Sequence, residues 1–319
     1  MPLGLGGVRY TGRKEAEACE QIRLRLRKAG LPYSVEAHFG NLAWYVDTWM
    51  ARDPSGTRCV IKTAETIVRD DYGAPHDLRT THREVLDRLR THASLRPPPP
   101  IVAWTRLHED ESSGLLVLER PFGELWWSRL PATGPASPTN PPDLTAFAHL
   151  AEGLDWLDQN LPQGDVGFPL KVSNLLAGES GPRLVDWGIA ALQSIVSSTV
   201  GPQQVTQPAP PEGSQLPLPS IRLTDSTRST ASLWALGSVY FTVRTGRTLL
   251  PDTGLVAREL LAAYEACQEL AEGRRELSEL PDSRERAVVR EALQIDASSS
   301  YPSCSAFVRA LSASLSATS

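Results

Sequence analysis

Apolar positions alternate with polar ones through much of the N-terminal part of the chain and recur every three or four residues through most of the remainder. Residues 14–29 have helical spacing, with Ala16, Cys19, Ile22 and Leu26 on one face and Gly30 ending the run. Residues 33–64 read as three strands, with Asp53-Pro-Ser-Gly56 as a turn and Cys59-Val-Ile-Lys62 inside the third strand. Residues 78–89 have a helical period. After the stiff run Pro97 to Pro100, strands are predicted over 101–105 and, as a buried one, over 114–119. Residues 143–160 form a strong amphipathic helix in which Leu144, Phe147, Leu150, Leu154 and Leu157 share a face. A short hairpin follows, with Leu175-Leu176 and Leu184-Val185 as its strands and Gly178 and Gly181-Pro182 in its turn. Helices are predicted over 232–245, 255–271, 283–294 and 303–315, with Gly246 capping the first of these. Strands gathered first and helices last make an α+β protein.

Composition changes this picture little and excludes several partners. The 319 residues are 41% hydrophobic and 22% charged, as a globular protein requires. The net charge of -5 comes without a basic patch, which argues against nucleic acid. No apolar run reaches the length of a membrane span and no signal-peptide core is present, so membrane insertion is not expected and the location is read as cytoplasmic. Cys19, Cys59, Cys267 and Cys304 have no metal-ligand spacing and read as free thiols in a reducing compartment. Residues 131–143 and 192–222 are rich in Pro, Ser and Thr. Lysine is scarce: Lys14, Lys28, Lys62 and Lys171 are the only four.

The hairpin supplies candidate chemistry. Its ends must meet, which places Asn174 beside Asp186. An amide oxygen next to a carboxylate suits Mg2+ that also holds phosphates. Lys62 alone is an ordinary strand-end charge and Glu84 alone an exposed helix charge.

These residues in this order resemble the eukaryotic-type Ser/Thr protein kinases and their bacterial relatives. Cys59-Val-Ile-Lys62 is similar to the strand whose lysine reaches nucleotide phosphates, and Glu84 stands where its helix partner belongs. Lys171-Val-Ser-Asn174 matches the Lys and Asn of the catalytic loop, and Asp186-Trp-Gly188 the metal-binding D-F-G. Gly40 keeps the first position of the phosphate-covering glycine loop, whose other two glycines are replaced. Glu119 to Pro121 resembles the segment facing adenine, with Leu118 behind it and Arg120-Pro-Phe-Gly123 as the hinge. Pro121 lacks an N–H to donate.

The resemblance implies a bilobal protein-kinase-like fold. Residues 1–32 form an extension with one helix, 33–120 the small lobe, and 121–319 the large lobe with an insertion at 131–143 and an activation segment at 189–222. It implies ATP and Mg2+ as cofactors and a protein as substrate or partner. Several catalytic features depart from the family. Ungapped counting puts Pro169 where the catalytic Asp belongs, and Pro cannot accept a proton. Ser232 replaces the Asp that braces the catalytic loop, and Ser300 stands where a late Arg is expected. The chain therefore reads as a pseudokinase, an allosteric or scaffolding regulator. Two alternatives stay open. One is an active, atypical Ser/Thr kinase with Asp165 as base, in Gln163-Gly-Asp-Val, four residues being inserted after it. The other is an interaction domain that binds no nucleotide.

Overall fold

The computed structural model describes residues 13–43, 46–65, 67–69, 75–77, 83, 87, 90–91, 94–95, 97–110, 115–126, 144–160, 174–187, 225–246, 277–293 and 301–316. In chain order the elements are α1 (Arg13–Lys28), β1 (Ser34–Ala43), β2 (Val46–Arg52), β3 (Arg58–Glu65), β4 (Ile67–Arg69), β5 (Pro75–Asp77), β6 (Arg106–Asp110), β7 (Leu115–Pro121), α2 (Leu144–Asn160), β8 (Leu175–Ala177), β9 (Pro182–Leu184), α3 (Asp225–Thr245), α4 (Ser283–Ala292) and α5 (Cys304–Ser316).

Five strands pair antiparallel in the order β1-β2-β3-β7-β6. Alternation gives the sheet two faces. Trp49, Ala51, Cys59, Ile61, Leu115 and Val117 point to one of them and are buried there against Cys19, Ile22 and Leu26 of α1. Of the expected helical face of the N-terminal extension, Cys19, Ile22 and Leu26 are packed on the small lobe, whereas Ala16, in the first turn of the helix, is exposed. The helix stops where the sequence requires. Gly30 has φ +71°, its amide meets the Arg27 carbonyl at 3.0 Å, and the Leu31 amide reaches back to the Leu26 carbonyl at 2.8 Å. This pairing of a left-handed residue with two back-bonded amides satisfies the last carbonyls, and buried Leu26 and Leu31 belong to the same apolar cluster. Further along α1, Glu15 accepts the His38 amide at 3.1 Å and Arg23 Nε donates to the Val35 carbonyl at 3.0 Å.

The second lobe is helical. Phe147, Leu150, Leu154 and Leu157 of α2 pack with Leu233, Leu236, Val239 and Tyr240 of α3 and with Phe307 and Leu311 of α5. Asp155 of α2 caps α5, accepting the Cys304 and Ser305 amides at 2.7 and 3.1 Å. Ser232 Oγ donates to Asp158 at 2.8 Å. Glu285 is fully buried and accepts from Arg244 Nε at 2.8 Å and Tyr240 OH at 2.6 Å, so its burial is compensated.

The segment between the lobes differs from its sequence-based expectation. The strand predicted at 101–105 lies further on, at Arg106–Asp110. Residues 100–102 instead run beside the hairpin. The Leu184 amide donates to the Pro100 carbonyl at 2.7 Å, and the Val102 amide to the Leu184 carbonyl at 2.9 Å. The apolar Ile101 and Val102 are buried against the second lobe and its hairpin rather than in the sheet. An apolar pair after four prolines has the composition of a strand whichever body it joins.

Candidate functional site

The hairpin β8–β9 carries the acidic end of the site. Its register sets Leu175 opposite Leu184 and Ala177 opposite Pro182. Gly178 is obligatory in the turn, because a Cβ there would stand 2.8 Å from the Gly181 carbonyl oxygen. The Val185 amide donates to the Asn174 carbonyl at 2.9 Å, so Asn174 and Asp186 leave the hairpin side by side, as its geometry demands. Trp187 then anchors the chain by donating from Nε1 to the Val102 carbonyl at 2.7 Å. Between these fixed points Asp186 takes a left-handed backbone, φ +62°. Asp tolerates that region better than most residues, at a cost of about 1 kcal/mol. The carboxylate is turned toward the sheet.

The basic end comes from the sheet face opposite α1. Thr48 pairs with Lys62, Lys62 with Leu118, and Val60 with Arg120. Residues paired across strands, and residues two apart along one strand, share a face. Thr48, Lys62, Leu118 and Arg120 therefore point the same way. Lys62 Nζ donates to Thr48 Oγ1 at 3.2 Å and stands 3.4 Å from Asp186 Oδ2. Arg120 meets the same carboxylate, with Nε 2.8 Å from Oδ1 and Nη2 3.5 Å from Oδ2. The three side chains are 2% (Lys62), 12% (Arg120) and 9% (Asp186) exposed. Burial raises the Asp186 carboxyl pKa, but the Arg120 and Lys62 charges outweigh it and hold the group below its ordinary range.

Glu119 falls on the other face, paired with Ile61. Its carboxylate accepts from Tyr33 OH and from Thr105 Oγ1 (2.8 Å), and its carbonyl accepts the Thr105 amide at 2.9 Å. Pro121 is the last residue of β7 and pairs with Cys59. Gly40 pairs with Thr48 in the β1–β2 ladder. Glu84, Asp165, Lys171 and Pro169 lie outside the described residues, as do Ser300, residues 131–143 and 189–222, and the helix expected at 255–271. Of the residues singled out in the sequence, Lys62 and Asp186 are brought into contact, with Asn174 adjacent through the backbone.

Arg120 was missed by the sequence reading, which ends the strand at Glu119 and leaves Arg120 in the hinge. The signal was there: two residues beyond Leu118 on a strand paired with β3, any side chain must face the same way as Lys62.

Solved protein kinases share this architecture. The kinase domain of PknI from Mycobacterium tuberculosis, as a double mutant, is 17% identical, with 88% of this chain and 95% of that one covered at a TM-score of 0.51. Rad53 residues 1–466 in complex with AMP-PNP is 13% identical, covering 88% of this chain and 65% of that one at 0.54. The MAP kinase LmaMPK10 from Leishmania major is 15% identical, covering 93% and 88% at 0.54. The chain has a bilobal, protein-kinase-like α+β fold. No protein-family model matches it, and no curated protein sequence does. The cluster of Lys62, Arg120 and Asp186 joins its two lobes.

A kinase fold implies ATP and Mg2+, and the residues can be tested against both. Lys62 and Arg120 offer an ammonium and a guanidinium on one face, donor groups suited to phosphate oxygens. The metal fares differently. Each Asp186 oxygen already has a cationic partner. A divalent ion beside them would meet a repulsion of about 4 kcal/mol per unit-charge pair at ~4 Å in a medium of intermediate polarity, doubled for its second charge. The site as arranged fits phosphate and does not fit Mg2+.

Proposed function

We propose that this chain is a pseudokinase: a protein-kinase-like domain that takes ATP in the cleft between its lobes, does not transfer the γ-phosphate, and acts on a protein partner as an allosteric or scaffolding regulator. The observation that carries this reading is the Arg120–Asp186 pair. A phosphotransfer site needs its D-F-G aspartate available to a metal that neutralises charge developing on the phosphates. Here that aspartate holds an arginine. The Pro169 position in the catalytic loop and Ser232 in place of the bracing aspartate support the same conclusion. Among the described residues no helix is long and apolar enough to cross a membrane, and a cytoplasmic protein partner, rather than nucleic acid, agrees with the net charge of -5.

Radiolabelled γ-phosphate incorporation into the protein itself and into generic Ser/Thr substrates tests the reading. Wild type should match an Asp186→Asn control in Mg2+ and in Mn2+. Incorporation lost in that control and in Asp165→Ala would favour the second reading, an active Ser/Thr kinase with Asp165 as base. The 3.4 Å approach of Lys62 to Asp186 is the observation on that side.

A further inference from the structure

A carboxylate that is to hold a hard cation must offer it an oxygen not already taken by a protein cation. Asp186 does not. The Arg120 guanidinium lies along the carboxylate, and its third nitrogen, Nη1, donates to the Pro121 carbonyl at 3.2 Å. The end of β7 thus fixes the guanidinium from behind while Asp186 fixes it in front. Both partners are shielded from water, so salt screens the pair weakly. For a metal to enter, Arg120 would have to give up its contacts with both Asp186 oxygens, breaking an ion pair that is largely shielded from water. For a polyphosphate to enter, no such loss is needed. A planar guanidinium and a neighbouring ammonium can share their donors between a carboxylate on one side and phosphate oxygens on the other.

We propose that Arg120 is the resident cation of this cleft: it takes the place of the divalent ion at Asp186 and makes binding of nucleotide phosphates independent of metal. The inference deepens the pseudokinase reading, since it rests on the cleft being a nucleotide site. The register places this role on Arg120 and not on a neighbour. Leu118 shares its face and is apolar, whereas Glu119 points to the face covered by α1.

Isothermal titration and thermal shift with ATP test the proposal on the full chain. Three proteins are compared, wild type, Arg120→Met and Arg120→Lys, each in EDTA and in Mg2+. Wild type is expected to bind ATP equally in both. Arg120→Met should lose about tenfold in EDTA, the weight of one charge-assisted contact to phosphate, and should regain affinity when Mg2+ is supplied. Arg120→Lys keeps the charge without the planar fork, so in EDTA it should bind ATP more tightly than Arg120→Met and more weakly than wild type, and still independently of Mg2+. Wild-type binding that requires Mg2+ overturns the proposal. So does the absence of ATP binding under both conditions, and so does an Arg120→Met protein that melts cooperatively yet binds as wild type. Should Arg120→Met fail to fold, the wild-type and Arg120→Lys metal dependences decide the matter alone. The outcomes separate the two readings: phosphate transfer would refute the pseudokinase alone, metal dependence of binding refutes the resident cation alone, and absence of ATP binding refutes the nucleotide site on which both rest.

Discussion

Asp186 has two cationic partners, and the two are not equivalent. Replacing Asp186 with Ala leaves Lys62 and Arg120 facing each other in a site from which water is excluded, and should destabilise the protein by about 3–5 kcal/mol. Replacing Arg120 with Met keeps most of the stem and leaves Asp186 its Lys62 partner, so the cost should be smaller, about 1–3 kcal/mol. Urea denaturation of both variants gives the comparison, and the reverse order would contradict the geometry. The pair also sets an acid sensitivity. The folded-state pKa of Asp186 is held below its ordinary value, so its contribution is complete above about pH 4 and is lost as pH falls through the lowered folded value. Between about pH 6 and pH 3, wild type should lose more stability than Arg120→Met, and parallel pH profiles would count against the ion pair. The thiols carry a further expectation. Burial pushes Cys59 up to about 12, with Glu119 and Asp53 adding to it, and burial raises Cys19 and Cys304 as well. These three should resist thiol reagents at about pH 8 in the native protein and react on unfolding. At this scale the scarcity of lysine was informative, since it drew attention to Lys62. Arginine is abundant, so nothing in composition marked Arg120. Its role depends on strand register, which the sequence reading did not carry past Glu119.

The elements explain why these side chains meet. β3 and β7 are central strands, and the face they turn away from the cleft is covered by α1. Leu26 is fully buried between that helix and the sheet. Leu26→Ala should cost about 2–5 kcal/mol, read as a lowered denaturation midpoint. A change near zero would mean that α1 does not support the sheet. Asp155→Ala removes the cap that satisfies two amides at the start of α5 and should cost about 1 kcal/mol. Most of these elements were legible because their periods are unambiguous. Cys19, Ile22 and Leu26 fall three or four apart, and the hairpin from Leu175 to Leu184 is bracketed by glycines. The segment at 101–105 was not legible. Ile101 and Val102 satisfy a strand pattern, but their backbone groups bond the hairpin of the other lobe, a choice made by tertiary packing that no local window contains.

The two lobes are joined at a point where the chemistry has been altered and the packing has not. The order β1-β2-β3-β7-β6 followed by helices reproduces the kinase architecture at 13–17% identity. The fold was therefore readable from many weak matches in the right order, because burial tolerates substitution within the apolar class. The site was readable only in part. Lys62, Asn174 and Asp186 carry recognisable motifs, whereas the group that decides their use, Arg120, belongs to no motif. The chemistry of the cleft turns on Asp186 being closed to metal, and Mn2+ is the most direct probe of that. Titration of wild type into Mn2+, followed by the paramagnetic resonance of the free ion, should leave the signal unchanged relative to Asp186→Asn. Arg120→Met should take up more Mn2+ than wild type, since its Asp186 keeps only the Lys62 cation and regains an oxygen for a hard cation. Capture of Mn2+ by wild type, abolished by Asp186→Asn, would contradict the central claim and return the cleft to a metal-dependent kinase.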